Sequence, residues 1–177
     1  VIVGDCSSCV AHLKTYPQLF LKAEDASWRG RATAFAARVR DAVELYGEYA
    51  DTLPSAVVEG VETTYHDSCR AINPQGIKNQ PRLAAKKAAG ASYCEMAGAD
   101  ACCGGAGAFG FVHEDLSDDL LKKKVGNVAA VQAGVVLTSS TSCLIQLARG
   151  FRKYYPDAKV LHLSEFVAGA LEKKHGA

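Results

Sequence analysis

Two adjacent cysteines, Cys102 and Cys103, stand at the head of a glycine-rich segment that reads CCGGAGAFG. Cysteine thiolates are preferred protein ligands of zinc ions and of iron–sulfur clusters. Both thiols can face one centre only if the backbone bends sharply, which Gly104 and Gly105 permit, and the N–H groups of these glycines can hydrogen-bond to ligand sulfurs. The segment therefore predicts a metal site in which two glycines support two cysteines.

The same glycines also match the G-x-G-x-x-G pattern of dinucleotide-binding loops, from Gly105 to Gly110. In such proteins the loop directly follows a strand, and an acidic residue about 20 positions further on binds the ribose. Here the letters DACC precede the glycines, and Ala129 and Ala130 stand where the acidic residue is required. The spacing therefore disfavours a nucleotide site.

Two further cysteines follow short runs that are typical of strands, Cys69 after TTYHDS and Cys143 after VVLTSSTS. Loops at the carboxyl ends of neighbouring parallel strands converge on one point. With Cys102 and Cys103, these residues supply four thiolates, a set that suits either an iron–sulfur cluster or a tetrahedral zinc ion. The sequence thus predicts one metal centre built from three loops and leaves the metal open.

The elements that must position these loops alternate along the chain. Short apolar runs predict strands, and longer runs with helical periodicity predict helices. The predicted strands are residues 1–4, 61–66, 92–96, 135–138 and 159–163, and the predicted helices are residues 28–49, 81–89, 115–132, 143–155 and a final helix. This alternation predicts an α/β protein whose mostly parallel, Rossmann-like sheet is flanked by helices.

A faint internal repeat suggests two units of one design. When the sequence is shifted on itself by 134 residues, VIVGDCSSCVAHL lies over VVLTSSTSCLIQL, and Cys9 falls on Cys143. Each segment reads as a strand, a polar loop, a cysteine and the start of a helix. We therefore expect residues 1–54 to be the C-terminal part of a first unit and residues 55–177 to be a complete second unit.

Cys6 and Cys9 form a C-x-x-C pair in the first unit. In the repeat alignment Cys9 corresponds to Cys143, whereas Cys6 falls on Ser140. Both are therefore candidate metal ligands, and Cys9 is the stronger candidate. Cys94 lies inside a predicted strand and is interpreted as an inert, buried thiol.

Composition excludes several classes of function. The chain has 20 basic and 19 acidic side chains, so a nucleic-acid partner is not expected. No apolar run approaches the roughly 20 residues that span a bilayer. Seven cysteines, an odd number without a disulfide framework, favour the reducing cytoplasm. The lysines at 122–124 are interpreted as a solvated helix face.

Three motifs resemble one known family: HDSC at 66–69, CCGGAG at 102–107 and TSCLIQL at 141–147. They are similar to the cysteine-rich CCG domain, which occurs twice in a component of heterodisulfide reductase and in the iron–sulfur subunits of glycolate oxidase and of lactate-utilisation oxidoreductases. The stretches SSCVAHLKTYPQL, RVRDAVELY, QGIKNQPR and SCLIQLARG extend the resemblance to the C-terminal half of the glycolate oxidase subunit, over nearly the whole chain.

The resemblance implies a cluster, of the [4Fe–4S] type, with four cysteine ligands. The implied ligands are Cys69, Cys102, Cys103 and Cys143. His66 belongs to the HDSC motif, and we expect it either to tune the cluster from beside the ligands, as Gly104 and Gly105 do, or to be a polar residue satisfied at a strand end.

The implied function is electron transfer from a partner flavoprotein, which oxidises a 2-hydroxy acid such as glycolate or lactate, to a quinone or another acceptor. The implied location is the cytoplasm, with peripheral attachment to the inner face of the membrane as a variant. The sequence contains neither a paired-carboxylate nor a Ser-His-Asp arrangement, so no side chain is assigned a catalytic role.

Two other functions use the same cysteines. A structural or docking domain would bind Zn²⁺ with them, since zinc also accepts four thiolates. Catalysis of thiol–disulfide chemistry, as in heterodisulfide reductase, would require the C-x-x-C that ends that family's motif. Ser140 occupies the first of those two positions, which disfavours disulfide catalysis.

Overall fold

The structure, a computed structural model, describes residues 1–54 and 60–175. It is an α/β protein with parallel strands and flanking helices, which confirms the predicted fold class. The strands are β1 (Ile2–Gly4), β2 (Val39–Asp41), β3 (Thr63–Tyr65), β4 (Val135–Thr138) and β5 (Lys159–His162). The helices are α1 (Ser7–Lys14), α2 (Ala26–Ala36), α3 (Ala42–Glu48), α4 (Cys69–Gln75), α5 (Asn79–Ala89), α6 (Phe109–Val112), α7 (Glu114–Ala130), α8 (Thr141–Tyr154) and α9 (Leu163–His175), with short 3₁₀ turns between some of them.

The larger sheet has the strand order β3-β4-β5, with every pair parallel. Side chains alternate between its faces along the central strand. Val135 and Leu137 pack in a cluster with residues of α5 and α9. Val136 packs in a second cluster with residues of α7 and α8. Both faces of the sheet are thus covered by helices, as parallel sheets require.

The smaller sheet pairs β1 with β2 in parallel, with Ile2 opposite Val39. The prediction of one helix over residues 28–49 was wrong, because β2 interrupts it between α2 and α3. The Asp41 side chain accepts a hydrogen bond from the N–H of Val43, and the Glu44 side chain accepts one from the N–H of Asp41. This capping box starts a new helix, and its D-x-x-E pattern was a signal that the periodicity reading missed.

The predicted strand over residues 92–96 is reduced to a single bridge between Tyr93 and Thr63. The predicted strand at 135–138 coincides with β4. The predicted division into 1–54 and 55–177 stays a prediction, since residues 55–59, at its boundary, lie outside the described residues. None of the helices in the described ranges is both long and apolar enough to cross a membrane.

The two segments related by the internal repeat contact each other at their strand-to-helix turns. The N–H of Ser7 donates to the carbonyl oxygen of Ser139 at 2.9 Å, and the Ser7 hydroxyl donates to the Ser139 hydroxyl at 2.9 Å. The hydroxyls of Ser8 and Ser140 are 2.8 Å apart. These hydrogen bonds link the turn after β1 to the turn after β4.

Candidate metal centre

One cavity of about 350 Å³ collects all four predicted ligand cysteines. Cofactor sites typically enclose roughly 300–1,000 Å³. All four are free thiols: Cys103 and Cys143 are buried, Cys69 is half-buried and Cys102 is exposed. The structure therefore brings together the thiols that the sequence placed on three separate loops.

The parallel sheet explains why these loops meet. Cys69 begins α4 just after β3, and Cys143 lies in the first turn of α8 just after β4. Since β3 and β4 are paired in parallel, their carboxyl ends lie side by side. Cys102 and Cys103 come from the loop that follows the Tyr93 bridge at the outer side of β3. The three loops that carry the four cysteines therefore meet at one cavity.

Gly104 holds the paired cysteines in place through contacts that no larger residue permits. Its φ angle is +84°, and a Cβ atom built on it would lie 2.5 Å from the carbonyl oxygen of Ser117. The Ser117 hydroxyl donates to the carbonyl oxygen of Gly104 at 2.9 Å and accepts from the side-chain amide of Gln146 at 3.0 Å. The N–H of Gly104 itself donates to Cys102 Sγ at 3.3 Å. The loop is thus anchored to both α7 and α8.

We expect Gly104→Ala to lower the free energy of unfolding by about 2–4 kcal/mol, which combines left-handed strain of about 1 kcal/mol with a steric clash of about 1–3 kcal/mol. Gly107→Ala is the matched control, because Gly107 also has a positive φ but its added Cβ would meet nothing within 4 Å. Urea denaturation of both variants measures the difference. Equal losses in the two variants would contradict the close contact at Ser117.

Three of the cavity thiols interact with one another, and these contacts shift their pKa values. The hydrogen bond from Cys103 lowers the pKa of Cys143, while the hydrogen bond to Cys103 raises the pKa of Cys102. The hydrogen bond from Cys102 lowers the pKa of Cys103, but its bond to Cys143 and its burial outweigh this and raise that pKa to about 12. A bound cation would therefore have to displace protons from Cys102 and Cys103, as metal binding to thiols does.

His66 lies beside these thiols rather than at the surface. A nitrogen of its ring and the sulfurs of Cys103 and Cys143 all lie within 4.8 Å of one another. His66 is 1% exposed, and its Nδ1 is buried without a hydrogen-bond partner among the described residues. Burial and the nearby charge of Lys124 lower the pKa of His66 to about 3, so the imidazole is neutral.

The interpretation of residues 122–124 as a solvated helix face was wrong for Lys124. Its side chain is buried, and its ammonium group donates to the carbonyl oxygens of Gly98 and, at 3.2 Å, Ala99. Lys124 follows the buried Leu121 by three residues on α7, so helical periodicity was a signal for its inward position. The structure therefore adds a buried cation next to the cysteine cavity, and burial lowers its pKa.

The first unit contributes Ser8 to the wall of the cavity. Cys6 and Cys9 belong to the described range 1–54 but do not line it. Burial raises the pKa of Cys6, yet hydrogen bonds with Thr141 and with the Cys9 backbone outweigh burial and lower this pKa to about 7. The hydrogen bond to Cys6 raises the pKa of Cys9. The pair is thus outside the cavity lining, although Cys6 contacts Thr141, two residues before Cys143.

Three other side chains complete the description of the site. Arg70 also lines the cavity. It was not predicted as a site residue, although it directly follows Cys69, the last residue of the HDSC motif. Ser140 is buried, and its hydroxyl lies 3.0 Å from that of Ser142. Cys94 lies outside the cavity, where its thiol donates to main-chain carbonyl oxygens.

The chain is similar in sequence to known proteins over most of its length. The chain is 31% identical over 176 residues, 98% of its length, to a probable glycolate oxidase iron-sulfur subunit of Bacillus subtilis (strain 168), and it spans 39% of that protein. It is 29% identical over 93% of its length to lactate utilization protein A of an Exiguobacterium strain, of which it spans 66%. It is 28% identical over 93% of its length to lactate utilization protein A of Lysinibacillus sphaericus, of which it spans 71%.

A family model also matches within the chain. Residues 63–148 match the cysteine-rich domain named CCG. This range begins with β3, ends within α8 and includes all four cysteines of the cavity. Residues 63–148 of this chain are thus similar to the cysteine-rich CCG domain.

Proposed function

We propose that this chain binds an iron–sulfur cluster and serves as the electron-transfer module of a 2-hydroxy-acid oxidoreductase. The observation that carries the proposal is the convergence of four free cysteines on one cavity. The relatives support it, since one is named a probable glycolate oxidase iron-sulfur subunit and others are named lactate utilization protein A.

The proposed ligands are the cavity cysteines, Cys69, Cys102, Cys103 and Cys143. The cavity accommodates a cofactor, and thiolates are the donors that iron–sulfur clusters use, so the residues present fit the group. When bound, such a cluster accepts and releases one electron at a time. Of the [4Fe–4S] and other types, we propose [4Fe–4S], which has four thiolate ligands.

The surrounding residues have separate roles toward these thiolates. The N–H of Gly104 donates to Cys102, which stabilises negative charge on that sulfur. The buried ammonium group of Lys124 compensates part of the charge of Cys102 and Cys103. Arg70, in the cavity wall, adds a second positive charge. These groups offset the negative charge of several thiolates in a largely buried cavity, where unpaired charge is unfavourable.

The proposed electron donor is a flavoprotein subunit of the same complex, which takes the hydride from glycolate, lactate or a similar acid. The proposed acceptor is a quinone or another electron carrier. We propose a cytoplasmic location, including peripheral contact with the inner face of the membrane. Residues 1–54 and 55–177 are the proposed two units, with Cys6 and Cys9 as ligands that belong to the first.

Zinc is the second candidate occupant, because His66, Cys103 and Cys143 are spaced closely enough for a single ion. The chain would then be a structural or docking domain. Disulfide catalysis is less supported, since the hydroxyl of Ser140 is already hydrogen-bonded at the position where that chemistry needs a thiol.

Anaerobic reconstitution with iron and sulfide tests the proposal. Iron, acid-labile sulfide and zinc are then measured in the same sample, and EPR spectra are recorded before and after reduction. We expect about four iron and four sulfide per chain and a redox-dependent signal. One zinc per chain without sulfide would instead establish the structural domain.

A further inference from the structure

We propose that His66 is itself a ligand of the metal centre, through Nδ1, together with Cys103 and Cys143. The sequence motif suggested only a residue beside the ligands. This inference rests on the proposal that the cavity cysteines bind metal, and it concerns one ion, iron or zinc, held by two of them together with the adjacent His66.

The first argument is distance. Zinc and iron bind sulfur at about 2.3 Å and imidazole nitrogen at about 2.0–2.1 Å, so two donors of one tetrahedral ion are about 3.5–3.8 Å apart. A ring nitrogen of His66 and the sulfurs of Cys103 and Cys143 already lie within 4.8 Å of one another. Closing these distances by up to about 1 Å therefore brings all three donors onto one ion.

The second argument is an unpaired buried atom. His66 is 1% exposed, and Nδ1 has no hydrogen-bond partner among the described residues. Leaving a buried polar atom unpaired is unfavourable, because it loses its hydrogen bonds to water without replacement. A ring nitrogen of His66 lies near the thiols of Cys103 and Cys143, which already interact with each other. A metal ion bound to the same thiols would give the Nδ1 lone pair a partner.

The third argument is the way in which the imidazole is held. The main-chain N–H of His66 donates to the carbonyl oxygen of Leu137 at 2.8 Å, and the backbone of Ala99 lies beside the ring. Metal-binding histidines usually donate their second ring nitrogen to a carbonyl or carboxylate, which fixes the tautomer and the ring orientation. In His66 the neighbouring backbone of Ala99 is suited to this role, and Nδ1 is the ring nitrogen that lacks a partner among the described residues.

Ligation by His66 has a consequence for the site. A neutral nitrogen in place of a thiolate removes one negative charge from the centre, and iron–sulfur clusters with histidine ligands have higher reduction potentials than those with cysteine alone. The centre would then have a mixed nitrogen–sulfur ligand set.

Pulsed EPR on the reconstituted, reduced protein with ¹⁵N-labelled histidine tests the inference. We expect a nitrogen coupling that changes with the isotope and disappears in His66→Ala. His12→Ala is the control, because His12 is exposed on α1 and should leave the spectrum unchanged. A spectrum that His66→Ala leaves unaltered overturns the inference.

Titration of the metal-free protein with Co²⁺, followed by the visible absorption of the bound ion, gives a readout independent of the cluster. We expect His66→Ala to weaken Co²⁺ binding by at least about 10-fold, whereas Cys94→Ser should not change it. Should His66→Ala fail to fold, His66→Cys keeps a ligand in place: it should retain metal but lose the nitrogen coupling, and retention of that coupling counts against His66.

The two proposals can fail separately. If Cys103→Ser keeps its full iron content, the cluster assignment itself is wrong. If Cys103→Ser loses iron while His66→Ala retains both the nitrogen coupling and Co²⁺ affinity, the cluster assignment stands and only the ligation by His66 is rejected.

Discussion

Replacing Cys103 with serine is expected to reduce the iron content of the reconstituted protein from about four per chain to less than one. Cys103 is 2% exposed and hydrogen-bonds to two other cavity thiols, so it occupies the centre of the proposed ligand set. A serine hydroxyl is a far weaker ligand than a thiolate, since its proton is not lost near neutral pH. Iron and sulfide analysis with an EPR spectrum measures the loss.

Cys94→Ser is the matched control for this change. Cys94 is a free thiol too, half-buried where Cys103 is buried, but it donates to the main-chain carbonyl oxygens of Thr63 and Val131, away from the cavity. We expect this variant to bind iron as the unaltered chain does. Equal iron loss in both variants would indicate a general loss of folding, whereas full retention in Cys103→Ser would remove Cys103 from the ligand set.

Arg82→Met is expected to lower the free energy of unfolding of the metal-free chain by about 3–5 kcal/mol. Two nitrogens of the Arg82 guanidinium bind the two carboxylate oxygens of Asp67, at 2.8 and 2.6 Å. The Asp67 side chain is 1% exposed, so the variant leaves a buried carboxylate without its counter-charge. Asp67 stands between His66 and the α4 cysteine, Cys69, so we also expect weaker metal binding. Urea denaturation and Co²⁺ titration measure the two effects.

Two further variants separate charge from packing. Lys87 lies on α5, as Arg82 does, and forms an exposed ion pair with Asp51. Removing this pair in Lys87→Met should lower the free energy of unfolding by less than about 1 kcal/mol. Combining Arg82→Met with Asp67→Asn removes the unpaired charge and should recover part of the lost stability. A loss in Arg82→Met as small as that in Lys87→Met would contradict the importance of the buried pair.

The larger sheet was predictable because its strands are short apolar runs between long helical patterns. Strand β4 coincides with the prediction, since Val135 to Leu137 are buried on both faces and leave no competing periodicity. Strand β2 was missed because only three residues form it, and its pairing with β1 depends on contacts distant in sequence. The strand predicted over residues 92–96 is only a bridge at Tyr93 for a similar reason, since local composition does not determine over how many residues a strand pairs.

The cysteines of the site could be located from the sequence, because loops after neighbouring parallel strands must converge. Cys69 and Cys143 needed only the position of β3 and β4. The inward position of Lys124 and the free Nδ1 of His66 could not be derived in this way. Both depend on the packing of α7 and of the turn at Ala99 against the sheet, which fixes side-chain directions rather than element positions.

The cavity is closed around Cys103 and Cys143 but open where Cys102 is exposed. Electron tunnelling between proteins weakens steeply with distance, so the proposed electron transfer requires a donor or acceptor against this open side. Dissolved oxygen and peroxides reach the cysteines from the same direction, and a metal-bound thiolate exposed there is open to oxidation. The surface that must be covered for fast electron exchange is therefore also the surface whose coverage protects the site. We expect the cysteines of the isolated metal-bound chain to be oxidised in air faster than those of the chain bound to the proposed partner.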